Sequence, residues 1–477
     1  MSRIASKLTA LALAGAGTLG VASWAMAQGD GSGTDNPDLL RGSLGVGCPA
    51  GTLCDFPPTN LMAAPALQLA GSISPGPAPA PIVPNAQIAS EVVAAEPQPR
   101  PVPTSSGFDV SPVNVTSWDF GYGIGVRGVY VRRDGDEDYE LVVTPQVSAS
   151  RQGASTLVDL GASADLVAPR DGEARVGGAN VEGTVAYRLS PSAGLAFDGT
   201  LSVSQDDPDG IATEQANVAE APRSVTGSVG GAYSQRLGKL DTTVSAGLSR
   251  SWTDVTRLED GSEISNAEEA YWGYEGGLRL GYAISPIVTV FADGDVGRTD
   301  YNARDPDAGA RRSSWDYALR AGVTANWSDV VTAEASVGSG WRDFDSSAFD
   351  DARTWLYGVA LGYGPNPTTQ LRLALDTTLD AGSGAEGADT VYALSAQGSY
   401  RVNSWVALRA DASAQWDVPV DGGATTRRYG AGVGADWTVG PHATASLDYD
   451  YGWREDPDAA ESTRDEHRVS GGVTLRD

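Results

Sequence analysis

After residue 27 this chain of 477 residues has almost no lysine, and Lys239 is the only one. Methionine stops at Met62, histidine is limited to His442 and His467, and cysteine to Cys48 and Cys54. Nucleophile–histidine catalysis needs a histidine within hydrogen-bond reach of the nucleophile. His442 abuts a short turn and His467 begins the last strand-like segment, so the reading is not an enzyme. Gly121-Tyr122-Gly123-Ile124-Gly125 is a Gly-rich strand rather than a strand-to-helix turn, and no zinc spacing or phosphate loop occurs. No cofactor or metal is expected. Basic charge is scarce too: 33 Lys+Arg against 61 Asp+Glu leave a formal net charge of −28. Such a chain does not bind nucleic acid through a basic face. Acidic runs at 134–138, 206–209 and 455–458 read as solvated loops, with divalent-cation binding the sharper alternative.

Long apolar runs are missing as well. Beyond the first residues, none approaches the roughly 18 apolar residues that a membrane helix needs. Residues 1–27 form a secretory signal: Arg3 and Lys7, an apolar stretch over 8–21, then Ala25-Met26-Ala27 before Gln28. No cysteine follows the cleavage site, so a lipoprotein anchor is not expected. In an oxidising compartment Cys48 and Cys54 are expected to pair as a small disulfide loop. Their spacing is wrong for a redox pair, and two thiols make a poor metal site. Residues 28–115 read as a Pro-rich, largely disordered periplasmic tail, with nine prolines between Pro75 and Pro103. It is a spacer, or a docking site for a periplasmic partner.

What fills residues 116–477 is alternation. In 441–453 His442, Thr444, Ser446, Asp448 and Asp450 share one parity, and Ala443, Ala445, Leu447, Tyr449, Tyr451 and Trp453 the other. A strand sends successive side chains to opposite faces, so this is a strand with one polar and one apolar wall. About eighteen such segments follow one another; sixteen results if one hairpin near the N-terminus is misread. Their connections fall into two classes. Every second one is short, as at Ser190-Pro191-Ser192 or Gly440-Pro441, and those between are longer and acidic, as at 206–222 and 254–268. Segregated loops of this kind belong to an all-β, up-and-down antiparallel transmembrane barrel, with short periplasmic turns and longer external loops. Both barrel termini then lie on the periplasmic side of the outer membrane. None of the external connections much exceeds fifteen residues, so no loop stands out as one that folds inside.

The two faces have distinct chemistry. Outward positions carry aromatic girdles: Trp118, Trp252, Trp272, Trp315, Trp327, Trp341, Trp355, Trp416, Trp437 and Trp453. Trp315 and Trp327 are twelve residues apart, which at about 3.3 Å per residue and a tilt near 40° spans an apolar band of roughly 25–30 Å. Inward positions carry Arg127, Asp159, Asp165, Glu182, Arg188, Asp198, Glu275, Arg279, Asp293, Asp295, Asp316, Arg320, Glu334, Arg372, Asp376, Arg409, Asp411, Asp436, Asp448 and Asp450. An Arg facing lipid at mid-membrane costs about 2–4 kcal/mol, so these charges need water or partners. They form a hydrated wall of Arg–carboxylate pairs, an acidic pore that favours cations, or both.

The stretch Val126-Arg127-Gly128-Val129-Tyr130-Val131, followed by Asp138-Tyr139-Glu140-Leu141-Val142-Val143-Thr144-Pro145-Gln146-Val147-Ser148-Ala149-Ser150, resembles the opening hairpin of the family called putative β-barrel porin 2. The resemblance runs loosely over 118–476. It implies an outer-membrane barrel of Gram-negative bacteria with a pore, and an association with exported polysaccharide in some relatives; it brings no catalytic residues. The C-terminal Val473-Thr474-Leu475-Arg476-Asp477 departs from the aromatic end that the barrel-assembly machinery reads in many outer-membrane barrels. The expected function is a water-filled pore for passive diffusion of small solutes. The alternative is a structural barrel that docks an envelope or polysaccharide-export assembly through its tail. Expected partners are outer-membrane lipid and lipopolysaccharide, and the assembly machinery.

Overall fold

The computed structural model describes residues 117–477 apart from 171–173, 206, 209, 211–216, 307, 328–329, 383–386 and 458–461. The signal segment, Cys48 and Cys54, and the Pro-rich tail lie outside these residues. Eighteen long strands form the wall. The first six are β1 (Asp119–Arg133), β2 (Asp136–Gln152), β3 (Thr156–Pro169), β4 (Arg175–Ser190), β5 (Ala193–Gln205) and β6 (Arg223–Leu237). Then come β7 (Leu240–Thr253), β8 (Tyr271–Ala283), β9 (Val288–Tyr301), β10 (Ser314–Trp327), β11 (Val331–Phe344) and β12 (Ala352–Asn366). The last are β13 (Thr369–Ala381), β14 (Ala388–Arg401), β15 (Val406–Pro419), β16 (Thr426–Gly440), β17 (Ala443–Glu455) and β18 (Thr463–Arg476).

Each strand pairs antiparallel with the next in the chain. β18 then pairs with β1, from Arg133↔Glu466 to Gly123↔Arg476, and closes the sheet. Closure has a physical cause. Lipid offers no hydrogen bonds to a strand edge, so a sheet that crosses a membrane must pair its first strand with its last. Bulges in the β3–β4 and β4–β5 pairs take up local register shifts without breaking the wall.

Side chains divide as the alternation requires. On β10 Trp315, Tyr317, Leu319 and Val323 stand exposed on the outside, while Asp316, Ala318 and Arg320 face inward opposite Gly297, Asp295 and Asp293. Leu319 is 59% exposed in the isolated chain. An exposed apolar row around the whole wall is unfavourable in water and favourable in hydrocarbon, so the outer face is built for lipid.

Connections at one end are short turns, such as 191–192, 238–239 and 367–368. At the other end they reach from 206 to 222 and from 254 to 270, and carry three short strands, Val218–Glu220, Thr256–Leu258 and Glu263–Ile264, joined in a small sheet of their own. One acidic run departs from its loop reading. Residues 136–138 belong to β2, and the β1–β2 connection is only Asp134-Gly135, with φ of 46° and 102°. Two left-handed residues make the tight turn that matches strand twist, and Asp-Gly suits it. A long loop was therefore never needed at that corner.

The two faces should tolerate charge unequally. Leu319→Arg is expected to lower stability by about 2–4 kcal/mol in urea titrations of the barrel in vesicles. Ala318→Arg, one residue away and facing Asp295, should change it little. Equal losses for the two variants would contradict the assignment of faces.

Candidate functional site

The interior is the candidate site, and register carries its face from strand to strand. From Arg279 on β8 the inward partners are Asp293 on β9, Arg320 on β10 and Gly338 on β11. The same face holds Arg127, Asp159, Asp165, Glu182, Arg188 and Asp198 on β1 and β3–β5. It continues with Glu275, Asp295, Asp316, Glu334, Arg372 and Asp376 on β8–β13. Arg409, Asp411, Asp436, Asp448 and Asp450 complete it on β15–β17.

Pairing among these charges is uneven. Arg279 Nη2 lies 2.8 Å from Glu334 Oε2 and its Nη1 3.6 Å from Asp293 Oδ2, with the guanidinium 3.5 Å over the Phe291 ring. Arg409 likewise serves Asp436 at 2.8 Å and Asp448 at 2.9 Å. Arg127 approaches Asp165 at 3.4 Å. Asp159, Glu182, Asp198, Asp295, Asp376, Asp411 and Asp450 have no ion pair among the described residues, against only Arg320 and Arg372 of these twenty with the opposite sign. Glu182, Arg372 and Asp411 are moreover solvent-exposed on the inner face. Charges without an ion-pair partner favour contact with water. Glycine makes room for it. A Cβ on Gly432 would stand 2.7 Å and 2.8 Å from carboxylate oxygens of Asp411 and Asp450.

Near the long-loop end arginines gather. Arg133, Arg175, Arg342, Arg428 and Arg454 lie on the inner face within two residues of their strand ends. Each has carboxylate partners: Arg133 takes Glu466 at 2.7 Å and Asp207 at 2.8 Å, and Arg175 takes Glu140 at 2.9 Å and Asp207 at 3.1 Å. Arg342 holds Asp316, Arg428 holds Asp417, and Arg454 holds Asp456. This tier was open to sequence reading, because Arg133 continues the parity of Arg127 and Arg454 that of Asp450.

Two connections also fold inward, contrary to the expectation drawn from their length. Asp207 follows β5 yet bridges Arg133 on β1, and the Gly210 carbonyl accepts from Arg464 Nη1 on β18 at 3.0 Å. On the other side Arg312, 1% exposed, stacks 5.2 Å from the Tyr301 ring centroid and donates to the Gly382 carbonyl at 2.6 Å. Charge complementarity, rather than length, pulls these segments over the mouth.

The wall itself bends in at one place. β12 and β13 are paired only up to Gly358↔Asp376. Above that point β12 stays on β11 as far as Arg342↔Ala352, and β13 stays on β14 as far as Ala381↔Ala388. The top of the β13–β14 hairpin lies inside the β12 wall. Thr377 is 0% exposed, and Thr390 Oγ1 donates to Thr354 Oγ1, on the inner face of β12, at 3.0 Å. β13 touches β11, which is not its sheet neighbour. Asp380 comes within electrostatic range of Arg342 and Tyr271. This hairpin top narrows the interior.

Outside, tryptophans gather at two levels. Trp252, Trp272, Trp315, Trp341, Trp355, Trp416 and Trp453 lie toward the long-loop ends, and Trp118, Trp327 and Trp437 toward the short turns. Trp405, missing from the sequence-based set, joins the second group from the 402–405 turn and is exposed. Arg250, Arg298 and Arg353 lie 5.0–5.4 Å from the ring centroids of Trp272, Trp315 and Trp341. Arg298 also grips Asp345, in the connection after β11, at 2.7 Å, and this holds the Asp345 carboxyl below the usual carboxylate range.

His442 Nδ1 lies 3.2 Å from the Arg476 carbonyl and His467 Nδ1 2.9 Å from the Tyr449 hydroxyl. Neither contact is a nucleophile–base pair. Residues 128–477 match the model of the family described as Putative beta-barrel porin 2. The chain belongs to that family. It is an outer-membrane porin-type barrel, and the family match reaches its last residue. No curated protein sequence matches it. Among solved structures it is similar to OpdK of Pseudomonas aeruginosa determined with vanillate, at 13% identity over 75% of this chain and 99% of that one, with a TM-score of 0.38. OccK3 (OpdO) of the same organism gives 12%, 75%, 96% and 0.37.

The mouth contacts make a pH prediction. The lowered Asp345 carboxyl stabilises its loop above its unfolded pKa, and that contribution fades as pH falls through the still lower folded value. The protection of amides 345–351, measured against their intrinsic exchange rates at each pH, should therefore be unchanged from pH 7 to 5 and fall below about pH 4. Arg298→Ala should lower this protection at neutral pH and remove the acid step; an acid step of the same size in the variant would contradict this attribution.

Proposed function

We propose that this barrel is a passive diffusion pore for small hydrophilic solutes, with an acidic mid-section that favours cations and a narrower passage at the long-loop end. The observation that carries the reading is the imbalance of unpaired inner charges: Asp159, Glu182, Asp198, Asp295, Asp376, Asp411 and Asp450 against Arg320 and Arg372. Fixed negative charge in a water-filled passage raises the local concentration of cations and repels anions. Eighteen strands close around a space wide enough for water unless something fills it, and membership of a porin family fits that use.

Orientation follows the same reading. β1 begins and β18 ends at the short-turn end. Short turns are periplasmic in barrels of this kind, which puts both barrel termini in the periplasm and the long acidic loops outside. Residues 28–115 then form a separable periplasmic tail. Outer-membrane lipid and lipopolysaccharide surround the apolar band, and the barrel-assembly machinery inserts it.

Conductance of the full mature chain in a planar bilayer under a salt gradient tests the proposal. The wild type should give discrete channel steps with a reversal potential of cation-preferring sign. Asp159→Asn, Asp198→Asn and Asp411→Asn together should shift that potential toward zero and leave steps intact. A folded barrel without steps, or a reversal potential unmoved by the triple change, would overturn it.

A further inference from the structure

The parted strands β12 and β13 leave an unused ladder, and its register is already set. Continuing from Gly358↔Asp376, Tyr357 would face Thr377, Leu356 would face Thr378, Trp355 would face Leu379 and Thr354 would face Asp380. The side chains suit that pairing. Trp355 and Tyr357 point outward and are exposed, and Leu379 would join them at the lipid. Thr354 and Leu356 face the interior through Gly340 and Gly338, and Asp380 would stand beside Thr354 in water. The hairpin top thus keeps the alternation of a wall segment while lying inside the wall. A segment with no other home would have no reason to keep it.

The inward position has costs and gains of the same kind as the wall position. It leaves the upper edge of β12 without its second neighbour, and the Thr377 hydroxyl is buried without a hydrogen-bond partner. Against this stand the Arg312–Gly382 and Thr390–Thr354 hydrogen bonds and the proximity of Asp380 to Arg342. Only a handful of bonds separates the two arrangements, and no other strand need change its register.

We propose that the top of the β13–β14 hairpin, residues 377–381 and 387–391, is a gate. It narrows the passage when docked against the inner faces of β11 and β12. It widens the passage when it swings back and zips β13 onto β12 in the register that the lower half already uses. Two packings of one element, close in free energy, are the usual basis of such switches. The inference rests on the pore reading for its consequence, but the movement can be measured without it.

Two cysteine pairs in the full chain, with Cys48 and Cys54 replaced by serine, test the gate. Thr354→Cys with Thr390→Cys spans a contact that exists only when the hairpin is docked. Trp355→Cys with Leu379→Cys joins residues on opposite faces of β12 in the docked form and directly opposed across the ladder in the zipped form. Mild oxidation in lipid vesicles, read as a gel-mobility shift, should cross-link both pairs, each in part. In bilayers, the oxidised 354–390 pair should hold the low conductance level and the oxidised 355–379 pair the high one. The two levels should differ at least twofold, and reduction should restore exchange between them. Failure of 355–379 to cross-link, where 354–390 does so fully, would overturn the gate and leave a fixed constriction. Cross-linking of both pairs without any channel steps would support the movement and count against the pore reading instead.

Discussion

The hydrogen bonds between β1 and β18 are the constraint on which the rest depends. Without them the first and last strands would each present a row of unpaired amides to lipid, where nothing can satisfy them. Once the ring is closed, strand number fixes the width, and the two-residue period fixes which side chains meet lipid and which face the space enclosed. Composition follows from that. A chain that must alternate cannot contain a long apolar run, and it can carry acids on the face turned away from lipid.

Inside, the wall is electrostatically layered. Arginines near the mouth are consumed by carboxylates, some of which come from loops, so this tier acts mainly as a fastening. Deeper in, Arg279 and Arg409 satisfy four carboxylates between them and Arg127 takes Asp165, while Asp411 and Asp450 stand beside Gly432 without an ion pair among the described residues. The fastened tier lies at the long-loop end; under the proposed pore function, the unfastened tier would set the charge that a solute meets.

Most of the wall was legible from parity alone. Strand after strand, the alternation of small polar and apolar residues marks the segment, and Pro or Gly pairs mark the short turns. At 134–138 acid content points to a loop, whereas Asp134-Gly135 is itself a hairpin signal and 136–138 belong to β2. The Arg tier sits within two residues of the strand ends, where the alternation runs out into the loops and parity is a weak guide. The inward hairpin was not legible at all. Thr378, Leu379 and Asp380 have the pattern of a wall strand, and what draws them inside is a set of distant partners, Arg312, Arg342 and Thr354, that only the closed barrel brings together.

A pair of neighbouring residues tests the central claim, a wet acidic interior behind a lipid-facing wall, most directly. Arg372 faces inward opposite Gln397 and Leu373 faces outward. Single cysteines at these two positions, with Cys48 and Cys54 replaced by serine, would be treated with a membrane-impermeant, water-soluble maleimide in intact outer-membrane vesicles. The account predicts rapid labelling of Arg372→Cys and protection of Leu373→Cys. Protection of Arg372→Cys, or equal labelling of the two, would contradict it.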